Sequence, residues 1–131
     1  MPIFSKSSLA QLATCHPHLQ LIFKRVVQVF DCTVTCGHRE KEAQEAAFAA
    51  GNSKVRWPNG KHNGIPSMAV DVVPYPADYK DRDRLHYFAG YVMGIAAVLG
   101  IPLRYGGDWN SDTQTKDNSF DDLVHFELMD T

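Results

Sequence analysis

Residues 61–71, KHNGIPSMAVD, join a polar loop to an apolar strand, and the fold is read outward from that junction. Asn63, Gly64 and Pro66 interrupt regular structure up to Ser67. Residues 68–73 then alternate as a strand does, with Ala69, Asp71 and Val73 on one face and Val70 and Val72 on the other. The loop carries His62, and the strand carries Asp71 on the face away from the packed valines, where the small Ala69 leaves room for a metal ion. Alone the pair is weak, because His62 also reads as a surface imidazole and Asp71 as a strand-end carboxylate. A third residue changes the weighing. In residues 120–128, FDDLVHFEL, a second apolar run puts His125 and Glu127 on one face and Phe126 and Leu128 on the other. Two histidines and an aspartate give zinc three protein ligands and leave the fourth position free, the pattern of a catalytic rather than a structural site. His62, Asp71 and His125 are therefore the expected metal ligands, and Zn2+ the expected ion. Glu127 reads equally as a residue orienting a metal-bound imidazole or as a solvated strand-edge charge.

Outward from this frame, residues 5–30 read as two helical pieces broken at Cys15-His16-Pro17, since proline suits the first turn of a new helix and not the interior of an old one. Leu19, Ile22, Phe23, Val26, Val27 and Phe30 repeat at three-four spacing and make one buried face. His16 and His18 read as surface or capping residues. Residues 31–36, DCTVTC, alternate as a strand, and residues 40–51, EKEAQEAAFAAG, read as a helix stopped by Gly51. The longest predicted helix covers residues 79–99, with Leu85, Phe88, Val92, Ile95 and Leu99 at helical spacing and Gly100 and Pro102 ending it. His86 lies one position off that apolar face and reads as a non-ligand. Residues 103–105 make a short strand leading into GGDWN, where Asp108 and Trp109 are expected to shape a cleft wall. Asp108, Asn110 and Asp112 faintly resemble the start of a calcium loop, without its glycine and its twelfth-position glutamate. The expected class is α+β: a small, mainly antiparallel sheet carrying Asp71 and His125, with helices packed on one side. Strand order is not readable from the pattern.

Composition narrows the function classes. A chain of 131 residues, 44% hydrophobic, suits one globular domain, residues 1–131, and is too short for a catalytic domain plus a separate binding module. The net charge of −2 and the lack of a Lys/Arg run exclude the footprint of a nucleic-acid binder. The most apolar stretch, residues 87–99, is too short to span a bilayer, and the N-terminus lacks the order of a signal peptide, so cytoplasmic synthesis is expected. Cys15, Cys32 and Cys36 are an odd count and fit no disulfide framework. Residues four apart on a strand are separated by roughly 13 Å, so Cys32 and Cys36 are not expected to share a metal or a disulfide.

The ordered motifs CGHR (residues 36–39), KHN…PSMAVD (61–71), GGDWN (106–110) and DDLVHFEL (121–128) resemble the zinc D-Ala-D-Ala carboxypeptidase and L-alanyl-D-glutamate endopeptidase family, of Hedgehog/DD-peptidase fold. The likeness is nearest to small phage endolysins and spans residues 32–128. Many relatives carry Ser-x-His where this chain has Gly60-Lys61-His62. The resemblance implies that Asp122 is the catalytic acid and base, at the family's offset from the last histidine, with Asp121 the runner-up. It also implies that Arg39 and Gln44 bind substrate. On sequence alone Arg39 reads as a solvated arginine at a strand-to-helix junction, and His38 as structural. Trp57 either lines the cleft or pins its loop. The implied activity is zinc-dependent hydrolysis of the L-Ala–D-Glu bond in bacterial wall stem peptides. The alternatives are a D-Ala-D-Ala carboxypeptidase or dipeptidase of wall remodelling, or a non-catalytic zinc-bearing binding module. An endolysin of this kind is expected to be a monomer, made in the host cytoplasm and acting on peptidoglycan after a separate holin-type protein permeabilises the membrane.

Overall fold

A computed structural model describes residues 2–129. Its elements in chain order are α1 (Lys6–Leu12), α2 (Pro17–Val29), β1 (Cys32–Cys36), α3 (Lys41–Ala49), a 3-10 turn (Lys61–Asn63), β2 (Ala69–Pro74), α4 (Arg82–Leu99), β3 (Leu103–Tyr105) and β4 (His125–Leu128). The four strands form one antiparallel sheet in the order β1-β2-β4-β3. The expected α+β class holds.

Local chemistry sets the helix ends. Pro17 opens α2, and His16 Nδ1 accepts the His18 N–H at 3.0 Å, so the first of these histidines caps the helix. The long helix begins later than its apolar periodicity suggests because Asp81 caps it, accepting the Arg84 N–H at 3.2 Å. It ends at Gly100, whose φ of 72° is the left-handed conformation glycine adopts without strain.

The sheet has one apolar and one polar face. Val70 and Val72 of β2, Phe126 and Leu128 of β4, and Leu103 and Tyr105 of β3 are buried on the first. Phe126 is at its centre, 5.5 Å from the Phe23 ring of α2, 6.3 Å from Phe88 of α4 and 5.2 Å from Tyr105. Truncating so enclosed a phenylalanine to alanine costs about 3–5 kcal/mol. The expectation of helices on one side describes α2 and α4. Helix α1 instead covers the free edge of β1, where Ser8 Oγ accepts the Val34 N–H and Gln11 Oε1 the Gly37 N–H, so that edge is not left open to pairing. Helix α3 stands beside the polar face, and its Gln44 lines the cleft there.

Strand β1 departs from simple alternation. Val34 pairs with Val72 but Cys36 pairs with Asp71, so two residues of β1 advance against one of β2. Thr35 is the extra residue of a β-bulge, and the bulge turns Cys36 from the face of Cys32 and Val34 to that of Asp71.

Candidate metal centre and cleft

Asp71 and His125 are register partners on the neighbouring strands β2 and β4, so the sheet itself brings them side by side on the polar face. His62 arrives on the 3-10 turn, which is tied down on several sides. Asn63 Oδ1 accepts the Gly60 N–H at 2.8 Å, Asn63 Nδ2 donates to the Arg39 carbonyl at 3.1 Å, and the Arg39 N–H donates to the His62 carbonyl at 2.8 Å.

Three donor atoms converge. His62 Nε2 lies 3.2 Å from Asp71 Oδ1 and 3.3 Å from His125 Nδ1, and His125 Nδ1 lies 3.3 Å from Asp71 Oδ1. Ligands 2.0–2.1 Å from a tetrahedral ion stand about 3.3–3.4 Å apart, so this near-equilateral triangle fits three corners of a zinc tetrahedron. The donor set, two imidazoles and one carboxylate, also suits that ion. The opposite nitrogen of each ring is engaged elsewhere. His62 Nδ1 is 2.7 Å from the Gly37 carbonyl, and His125 Nε2 is 2.9 Å from Glu127 Oε1. Each histidine therefore turns its other nitrogen to the shared point. Glu127 Oε2 in turn accepts from Arg104 at 2.7 Å.

The electrostatics agree. Burial opposes charge on His62, but its hydrogen bonds with Asp71, which accepts from the ring, and with Cys36, together with the charge of Asp71, outweigh it and raise the ring to about 10. Burial likewise opposes ionisation of Asp71, and the two histidines outweigh it, holding that carboxyl far below its ordinary range. The cluster draws positive charge, and protons and a divalent cation compete for the same lone pairs.

Asp122 lies just outside the triangle, its Oδ2 3.9 Å from His125 Nδ1. Burial, and then the neighbouring charge of Asp71, raise its carboxyl above the usual value. Asp121 points away: it accepts from Arg82 of α4 at 2.6 Å and from Asn118 at 3.1 Å. Of the two aspartates, the one facing the cluster is Asp122. Arg39 also reaches it, its guanidinium 3.4 Å from Asp71 Oδ2 and 3.2 Å from Gln44 Oε1. Gln44 is buried, its amide donating to Ser53 Oγ and the Val55 carbonyl and accepting from Arg39 and Asn63. A cavity of about 450 Å³ opens at these groups, lined by Arg39, His62, Asp122 and His125 together with Arg104 and Trp109. Trp109 is fixed there by its indole N–H on the Phe120 carbonyl at 2.6 Å and by stacking on the Phe120 ring.

Other residues fall outside the centre. His86 Nδ1 meets the Tyr105 hydroxyl at 3.3 Å, and His38 bridges the Gly64 carbonyl and Glu40. Trp57 is absent from the cavity lining, and its backbone N–H is held by Glu45 Oε1 at 3.0 Å. The carboxylates of Asp108 and Asp112 accept N–H groups of their own loop, from Asp112, Thr113 and Gln114.

Three participants were not foreseen from the sequence. Cys36 Sγ comes within 3.9 Å of His62 Nδ1 and belongs, with His62 and Asp71, to one of two overlapping donor groups, the other being Asp71, Asp122 and His125. Thr35 hides this, because strict alternation puts Cys36 in the core. Asn63 carries no signal beyond its place next to His62. Arg104 had one: it is the polar residue between Leu103 and Tyr105, on the face of a sheet whose polar side carries the candidate donors Asp71 and His125.

Comparison with known proteins meets this geometry. Residues 2–129 match the family model of the phage L-alanyl-D-glutamate peptidase. The chain is 32% identical over 113 residues to the L-alanyl-D-glutamate peptidase of Escherichia phage T5, covering 82% of each. It superposes on the crystal structure of the Serratia marcescens L-Ala D-Glu endopeptidase ChiX with a TM-score of 0.72 at 25% identity, covering 97% of this chain and 90% of that one. With the model match spanning nearly every residue, the chain belongs to the phage L-alanyl-D-glutamate peptidase family.

Proposed function

We propose that this protein is a zinc-dependent peptidoglycan peptidase of the phage endolysin type, one catalytic domain that hydrolyses the L-Ala–D-Glu bond of bacterial stem peptides. The observation that carries this reading is the triangle of His62 Nε2, Asp71 Oδ1 and His125 Nδ1, with edges of 3.2–3.3 Å and Asp122 just outside it. His62, Asp71 and His125 would hold a zinc ion, which would supply Lewis acidity toward a water and the scissile carbonyl. Asp122 takes the proton of the attacking water and returns it to the leaving amine, and a carboxyl raised by burial is suited to both halves of that exchange. Arg39, which lines the cavity, binds a free carboxylate of the stem peptide. Gln44 serves substrate binding through Arg39, whose guanidinium it holds at 3.2 Å.

The names of the relatives favour the endopeptidase over a D-Ala-D-Ala carboxypeptidase, and Asp122 beside the donor triangle favours an enzyme over a zinc-bearing binding module. Among the described residues no helix is long and apolar enough to cross a membrane, in keeping with access to the wall through a separate holin-type protein. Mass spectrometry of digested peptidoglycan, before and after chelation and zinc restoration, tests the reading. The expected products are cut between L-Ala and D-Glu, only with metal present. Release of terminal D-Ala with that bond intact makes the protein a carboxypeptidase; zinc-loaded protein inert on every wall preparation makes it a binding module.

A further inference from the structure

The two histidines turn opposite ring nitrogens to the shared point, each because its other nitrogen is engaged by an unlike partner. His62 gives its Nδ1–H to a neutral backbone carbonyl, that of Gly37, whereas His125 gives its Nε2–H to the carboxylate of Glu127. Glu127 is 5% exposed, an unusual place for a charge unless it is paired. Its pairing is complete. Oε1 takes His125 at 2.9 Å and Oε2 takes Arg104 at 2.7 Å, and Arg104 is its register partner on β3. The guanidinium of Arg104 lies 5.9 Å from the Trp109 ring, which itself lies 5.5 Å from His125. Arg104, Glu127 and His125 thus form a linear chain across β3 and β4 that ends on a donor of the triangle.

We propose that Glu127 is a positioning residue for the metal centre, fixing His125 as an Nδ1 donor and strengthening it, and that Arg104 holds Glu127 to that task. This rests on the zinc reading above and assigns roles to two residues beyond the ligands. A carboxylate on the far nitrogen orients the ring and makes it a better donor, and losing such a partner typically weakens metal binding about 10–100-fold. The network also predicts a specific incompatibility. Two donors, Arg104 and His125, need two acceptor oxygens. Glu127→Gln leaves one oxygen for both and turns an amide N–H₂ against one of them. Removing Arg104 as well frees the single oxygen for His125.

The test measures zinc affinity by chelator competition in E127Q, R104M and the double variant, each checked for folding by circular dichroism, alongside zinc-loaded wild type. E127Q should bind zinc about 10–100-fold more weakly than wild type, and E127Q/R104M should bind more tightly than E127Q. Nitrogen-15 NMR of the zinc-loaded wild type should show His125 protonated at Nε2. An E127Q affinity within about fivefold of wild type, a double variant no tighter than E127Q, or the opposite His125 tautomer overturns the proposal. If E127Q does not fold, the tautomer decides alone. A wild type that binds zinc as described but cuts no wall peptide sinks the proposed function and leaves this inference standing.

Discussion

Replacing Asp122 by asparagine separates holding the metal from moving the proton. The Asp122 carboxylate stands 3.9 Å from His125 Nδ1, whereas the three donors are 3.2–3.3 Å from one another, so it lies outside their triangle. Its main chain is set independently of the side chain, with the Asp122 N–H on the Gly106 carbonyl at 2.9 Å and the His125 N–H on the Asp122 carbonyl at 3.1 Å. Asparagine has the same shape, so the turn and the zinc affinity should survive the change. What asparagine cannot do is accept and return a proton. Loss of a positioned general acid and base costs about 10²–10⁴ in rate, or roughly 2.7–5.4 kcal/mol at about 1.36 kcal/mol per decade. The assay is muropeptide cleavage followed by chromatography, with zinc content measured on the same sample. Turnover within tenfold of wild type at equal zinc content would falsify the assignment of Asp122. Loss of zinc would instead make it a ligand.

Four further outcomes follow from the site and its supports. Arg39→Ala should raise KM by roughly 10- to 150-fold, the value of a charge-assisted hydrogen bond of about 1.5–3 kcal/mol, with kcat less affected; equal KM values on free and amidated stem peptides in wild type would refute a carboxylate partner. Gly106→Ala should lower activity about 100-fold in a folded protein, since a Cβ there would collide with the Asp122 carbonyl oxygen and force the turn that carries Asp122 to move; near-native turnover would show that the turn yields freely. Zinc uptake at pH 7 should release protons and weaken as pH falls, because His62, raised to about 10, holds a proton that the metal must displace; calorimetry in buffers of different ionisation enthalpy reads this directly, and a buffer-independent heat would contradict it. Burial pushes the Cys15 and Cys32 thiols to about 11 and about 12, so in folded protein at pH 8 an alkylating reagent should spare both and modify them only after unfolding, as peptide mapping will show.

Much of this architecture follows from short-range pattern. The alternation of residues 69–73 separates Asp71 from Val70 and Val72, and the three-four spacing of Leu85, Phe88 and Val92 makes the buried side of α4, because strand and helix periods are properties of the backbone alone. The donors His62, Asp71 and His125 were legible as residue types at the right kind of place, a polar loop and two half-apolar strands. Two kinds of information were not legible. Strand order β1-β2-β4-β3 arises from which long-range pairing buries most, which no local period encodes. The bulge at Thr35 breaks the alternation that the residues DCTVTC otherwise display, and only the register against β2 reveals that Cys36 has changed sides. The link from Arg104 to Glu127 was hidden for a related reason, since it depends on β3 and β4 being neighbours.

The three donors differ in how the chain delivers them, and this bears on how the centre assembles. Asp71 and His125 face each other like matched rungs on adjacent rails, their separation dictated by the hydrogen-bond ladder and already decided once β2 meets β4. His62 comes on a turn after an irregular stretch. An incoming ion would find two jaws of the grip spaced by the ladder and the third already pinned by its own turn and by the Gly37 carbonyl, which keeps the entropic toll of capture small. Mutations that loosen residues 60–64 should therefore raise that toll and weaken capture, while those that slip the β2–β4 register should abolish it.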